Sequence, residues 1–294
     1  MTLRFCLFIV LMSLHGATLA QGALEPPAPP GPTMKTLDQV EPRIPFSEAV
    51  TINEAGSYYL TNDISGSFTI QADNVTLDLN GFTITPEFPV AIRVFGSDNL
   101  RIFNGAIAGG EAAGISGLGM GSVSISDLQF FDITGACIEL SNPSGILMIE
   151  RIRCHQATRE GIMIRQGEDQ PLHVVIRDNV ISNVATTTAA STYGIGVFHN
   201  ATGDLNVVVT GNKMMNNRVW GLGIRGGDNA TVSGQVTDNL ASGNGGPGIQ
   251  VLADVVVAKN IAAGNGSNYN VNSQRAAPIT ALDQNPGPWD NISE

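Results

Sequence analysis

The chain has 294 residues, of which 43% are hydrophobic, 6% aromatic and 14% charged, which excludes a wholly disordered polymer. Fifteen Lys and Arg stand against 26 Asp and Glu, a net charge of −11, which excludes the dense basic surface that duplex nucleic acid requires. Glycine is abundant at 34 residues but follows no collagen-like period, and three cysteines are too few for a disulfide scaffold.

In chain order, residues 1–20 read as a secretory signal: Arg4 precedes the apolar run Cys6–Met12, and small residues close at Thr18-Leu19-Ala20. The run is short of the roughly 20 residues a membrane span needs, and no later run is longer, so no membrane insertion is expected after cleavage near Ala20. The mature chain is expected outside the cytoplasm, secreted or periplasmic. Residues 21–33 contain Ala23–Pro32, an extended Pro-rich spacer, because proline fixes φ and donates nothing to a ladder. Residues 34–60 are expected to cap the N-terminal end of the next region. Residues 272–294, with Pro278, Pro286, Pro288 and Trp289, lose all period and are expected to cap the other end.

Between them, residues 61–271 repeat. One part of each repeat is an alternating apolar segment opened by an Asp/Asn turn, as in Asp73–Gly81 and Asp98–Gly105, with later copies at Val174–Asn179, Val207–Asn212, Gln235–Asn239 and Val255–Asn260. The other opens on glycine and alternates again: Gly161-Ile162-Met163-Ile164-Arg165, Gly194–Phe198, Gly221–Arg225 and Gly248–Leu252. Period-two alternation means strands with one buried face, and strands this short bury it only by stacking on the next repeat. Asn179, Asn212, Asn239 and Asn260 recur at one turn and predict a buried ladder, since asparagine tolerates the left-handed region and its amide can bond the amides above and below. Their unequal spacing predicts turns of variable length over strands kept in register, the longest insertion being Ala185–Thr192. About eight coils make a rod on the order of 40 Å long.

This pattern resembles the right-handed parallel β-helix proteins, the pectin-lyase-like fold, over most of the mature chain. Its sharpest part, Gly56–Leu60 through Asn74–Ile84, is similar to the first coil of secreted bacterial β-helix-repeat proteins, most of which have no assigned activity. The resemblance implies an all-β solenoid. It also raises cleavage or epimerisation of acidic polysaccharides, although neither the Asp cluster with Gly-His-Gly of the polygalacturonases nor the full epimerase motif is present. Tyr193-Gly194-Ile195-Gly196 matches only the start of the latter.

Stacked coils align equivalent residues. Just before the glycines stand Glu160, Tyr193, Trp220 and Pro247, and outward positions on the strands include Arg165, Phe198 and Arg225, with Gly196 and Gly223 as a shallow floor and His199 at the edge. Aromatic faces stack on sugar rings, and arginine forks onto carboxylate or sulfate. The expected function is therefore binding of an extended, acidic polysaccharide or cell-surface glycan by Glu160, Arg165, Tyr193, Phe198, Trp220 and Arg225. One alternative is a lyase or C5-epimerase acting on uronates, with Tyr193 or His199 as base and Arg165 or Arg225 neutralising the carboxylate. Another is a structural or adhesive surface solenoid. No cofactor or metal is expected: the turn aspartates form no calcium-binding nonapeptide repeat, and His155, His173 and His199 lack zinc spacing. Arg151, Arg153 and Arg177 are expected to pair with acidic neighbours. Cys137 and Cys154 could bridge in an oxidising compartment, but, assigned to non-equivalent places in consecutive coils, they are read rather as two buried free thiols. Oligomeric state is left open.

Overall fold

A computed structural model describes residues 43–184 and 192–272, together with the backbone of the strand Ile292–Ser293. The signal segment, the Pro-rich spacer, residues 185–191 of the long insertion and the tail from 273 to 291, Trp289 included, lie outside the described residues.

Among the described residues every strand pairing is parallel and joins one coil to the next, forming three walls. A broad wall carries strands such as Gly145–Glu150, Leu172–Arg177 and Asp204–Thr210. A short wall carries three-residue strands such as Arg153–His155, Val180–Ser182 and Lys213–Met215. The third wall is a ten-stranded sheet running from Thr51–Ile52 to Ser267–Val271. This is an all-β parallel solenoid of about eight full turns. Pairing begins earlier than the repeat suggested: Arg43–Phe46 already pairs with Gly56–Leu60, inside the segment expected to be a cap. At the other end Ile292–Ser293 pairs with Ile261–Ala262 of the short wall.

The core is built of inward columns. Ile84, Ile107, Phe130, Cys154, Ile181, Met214, Ala241 and Ala262 occupy the middle of successive short-wall strands, and all are buried. Two corners bound this wall, and each is made the same way. At the first, Asn104, Asp127, Arg151, Asp178, Gly211, Asp238 and Lys259 stack with φ between 53° and 68°. That left-handed conformation turns the chain and sends the next side chain inward. The next residues are Leu128 and Ile152, then Asn179, Asn212, Asn239 and Asn260, which form the expected buried ladder. Asn179 Nδ2 donates to Asn212 Oδ1 (2.8 Å), Asn212 to Asn239 (2.9 Å) and Asn239 to Asn260 (3.0 Å). The spare amide hydrogens satisfy carbonyls that the turn leaves unpaired, including those of Ile149, Ile176, Val209 and Val236.

A second ladder at the other corner was not anticipated. There the left-handed residues Gln156, Asn183, Asn216, Gly243 and Gly264 precede Ala157, Val184, Asn217, Asn244 and Asn265. Asn244 Nδ2 donates to Asn265 Oδ1 (2.7 Å), and the Val184 amide to Asn217 Oδ1 (3.2 Å).

The cysteines correct an expectation. Cys137 and Cys154 are joined in a disulfide, with Cα atoms 6.3 Å apart. They belong to one coil, not two: Cys137 is the second residue of its ten-stranded-wall strand, and Cys154 is the middle of its short-wall strand. The register Ile138↔Ile162 places Cys137 in the glycine column, above Gly161. A side chain added at those glycines would run into the facing short-wall residue, Phe130 Cε1 at 2.6 Å from Gly114 and Met214 Cγ at 3.2 Å from Gly194. In the coil of Cys137, where the column carries a thiol in place of glycine, the facing residue is the second cysteine. Non-equivalent positions meet because they face each other across the interior.

Candidate carbohydrate-binding face

The glycine registration on which the candidate site depends is present: Ile162 pairs with Ile195, Ile195 with Leu222 and Leu222 with Ile249, so Gly161, Gly194, Gly221 and Gly248 stack. Outward of this column the ten-stranded wall presents three further columns. Glu160, Tyr193, Trp220 and Pro247 form the first; Glu139, Met163, Gly196, Gly223 and Gln250 the second; Ser141, Arg165, Phe198, Arg225 and Leu252 the third. All six expected binding residues therefore share one outer face, in consecutive coils.

The face is flatter than a groove. Met163 lies over Gly196, where a Cβ would meet its Cε at 2.7 Å, and the Tyr193 ring covers Gly223. Both are buried, so the glycines are filled from the preceding coil instead of forming an open floor. The Tyr193 ring meets Trp220 edge-on at 4.4 Å between centroids and Phe198 at 4.9 Å, while Phe198 and Trp220 keep part of their surface exposed. The Tyr193 hydroxyl donates to Gln250 Oε1 at 3.4 Å. Burial pushes this phenol up to about 12, against a smaller opposite pull from Arg225. It is neutral across the physiological range.

Arg165 is not free. Its guanidinium contacts Glu139 and lies 3.2 Å from Glu160, and Arg159 reaches the same two carboxylates at 3.4 and 3.3 Å. Glu139 escaped the sequence reading because its strand opens Ala136-Cys137 where the others open on glycine. Aligning Cys137 with the glycine column would have placed it beside Met163. The resulting cluster of two carboxylates and two guanidiniums has no net charge. Arg225 is exposed and has no ion pair among the described residues, so it supplies the net positive charge beside the aromatic cluster.

His199 is fully buried. Its Nε2–H donates to the Gly203 carbonyl, while Nδ1 has no partner among the described residues. The structure thus brings Arg165, Tyr193 and Arg225 to one face and turns His199 away from it.

Of the three arginines expected to pair with acidic neighbours, Arg151 and Arg177 do so and Arg153 has no ion pair among the described residues. Arg151 bridges Asp127 (2.6 Å) and Glu150 (2.8 Å), and Arg177 pairs with Glu150 (2.5 Å). Among the described residues no cluster of His, Cys, Asp and Glu could hold a metal ion, and no helix is long and apolar enough to cross a membrane.

A family model described as the right handed beta helix region matches residues 64–236. Among solved structures, full-length tailspike protein 2 from Escherichia coli O157:H7 bacteriophage CAB120 is similar at 10% identity and a TM-score of 0.31, over 77% of this chain and 38% of that one. The enzymatically active domain of tailspike protein 2 from bacteriophage CBA120 is similar at 8% identity and a TM-score of 0.25, over 77% and 42%. The chain spans less than half the length of either. No curated protein matches the sequence.

Proposed function

Because the chain belongs to the right-handed β-helix family, in which stacked coils turn equivalent positions into continuous columns, we propose that it binds an extended, acidic carbohydrate along the outer face of its ten-stranded wall. The observation that carries this reading is the Tyr193–Phe198–Trp220 cluster beside Arg225, spread over adjacent coils. Trp220 and Phe198 offer half-buried aromatic faces on which the C–H faces of sugar rings stack, and buried Tyr193 holds both in place. Arg225 offers a planar, unpaired fork to a carboxylate or sulfate.

Binding without turnover is the better-supported form of the reading. Glu139 and Glu160 are each already engaged by two guanidiniums. The Tyr193 phenol stays protonated until about pH 12, and His199 is enclosed. The Cys137–Cys154 bond supports a location in an oxidising compartment, where such a polymer would be met.

The test is retention on a panel of uronate and sulfated polysaccharides. Trp220→Ala and Arg225→Ala are each expected to weaken binding about tenfold or more. Unchanged binding in both variants, with melting curves like the parent, removes the site.

A further inference from the structure

The third outward column does not stop at Arg165. The register carries it through Ser141 to Leu118 and Phe95. Phe95 is 41% exposed and Leu118 50%, and Phe88, on the turn leading into the same strand as Phe95, is 66% exposed. These are among the most exposed large apolar side chains among the described residues. Phe95 and Leu118 lie on the same face as the Phe198 and Trp220 platform, separated from it by the neutral Glu139–Arg159–Glu160–Arg165 cluster.

We infer that Phe95 and Leu118 form a second carbohydrate subsite on this face, and that the ligand is a sparsely charged heteropolysaccharide, not a homopolymer of uronates. The inference rests on the reading proposed above. From Phe95 to Arg225 the column climbs five coils, about 24 Å, so one extended chain of several sugars contacts both ends. A polyuronate would carry a carboxylate at nearly every coil. Its middle residues would face Glu139 and Glu160, whose partners are already used, and at its other end Arg93, in the second outward column beside Phe95, could take one carboxylate, while Phe95 and Leu118 solvate no charge. A repeat with one acidic sugar places a carboxylate at Arg225 and again at Arg93, five coils away, and its less polar units, such as deoxy or acylated sugars, cover Phe95 and Leu118.

The probes are gellan oligosaccharides, whose four-sugar repeat holds one glucuronate and one deoxy sugar, and oligogalacturonates of matched length, titrated calorimetrically against the full chain. Affinity for the gellan series is expected to rise about tenfold or more from four to eight sugars. Phe95→Ala and Leu118→Ser are each expected to erase that rise while leaving the four-sugar affinity unchanged. Both side chains are exposed, so melting should not move.

A length-independent affinity that is lost in Trp220→Ala overturns the second subsite and leaves the first intact. Tighter binding of oligogalacturonates than of gellan fragments, again dependent on Trp220, overturns the sparse-charge assignment alone. Binding of neither series, or binding indifferent to Trp220 and Arg225, overturns both this inference and the reading beneath it.

Discussion

The disulfide offers the sharpest test of how the coils are assembled. Cys137 and Cys154 are 17 residues apart, and the bond closes one coil on itself. A loop of that length contributes about 3 kcal/mol by restricting the unfolded chain. For a domain of this size that is a shift of about 6–12 °C in the melting midpoint. Two variants separate the covalent term from packing. Cys137→Gly with Cys154→Ile copies the next coil, where Gly161 faces Ile181, and is expected to lose only the loop-closure contribution. Cys137→Ala with Cys154→Ala also loses buried volume at Cys154 and is expected to cost about 1–2 kcal/mol more. The assay is urea denaturation of parent and variants, with and without reductant. Peptide mapping of the denatured, unreduced parent should find neither cysteine open to alkylation. Alkylation of both, or a parent midpoint indifferent to reductant, refutes the placement of Cys137 in the glycine column opposite Cys154.

Asn212→Ala removes the donor to Ile176 and Thr210 and the acceptor for Asn179, all within the buried ladder, and is expected to cost about 2–4 kcal/mol in urea denaturation. Gly223→Ala drives a methyl into the Tyr193 ring; a change in Trp220 fluorescence with weakened glycan retention is expected, whereas Gly227→Ala, further along the same coil, should leave both unchanged. Acid sensitivity follows from two carboxylates. The hydrogen bond from Arg151 holds Asp127 below its ordinary value; for Glu150 burial pushes upward, but hydrogen bonds from Arg177 and Arg151 outweigh it and the net direction is also down. Depressed folded-state values stabilise above the unfolded value near pH 4 and are lost as pH falls through the folded value, so urea midpoints should be flat from pH 7 to 5 and decline below about 4. Both groups are partly exposed to solvent, so Arg151→Met should flatten that decline by at most about 1 kcal/mol.

The solenoid was legible because its signals are local: a period of two, an asparagine or glycine where the chain turns, and glycines whose stacking follows once the strands are read as parallel. The first ladder was legible for the same reason, since Asn179, Asn212, Asn239 and Asn260 each follow an apolar alternation. The second ladder was hidden because Asn217, Asn244 and Asn265 follow only three-residue strands, too short to announce a period. The disulfide required knowing which walls face each other inside a coil, and that is a property of the closed coil, not of either strand.

The same distinction governs the candidate face. Alternation assigns Met163 and Tyr193 to the outside, and that assignment is right in direction, yet both are buried, because each lies over a glycine of the following coil. For these two residues the burial comes from the small neighbour one coil on. Phe198, followed by Arg225 instead of a glycine, keeps part of its surface in solvent, and so does Trp220, followed by Pro247. Under the proposed reading a ligand would meet Phe198, Trp220 and Arg225, supported from beneath by Met163 and Tyr193. On that ground Tyr193 belongs to the frame of the proposed site, and Phe198, Trp220 and Arg225 to its proposed contact surface.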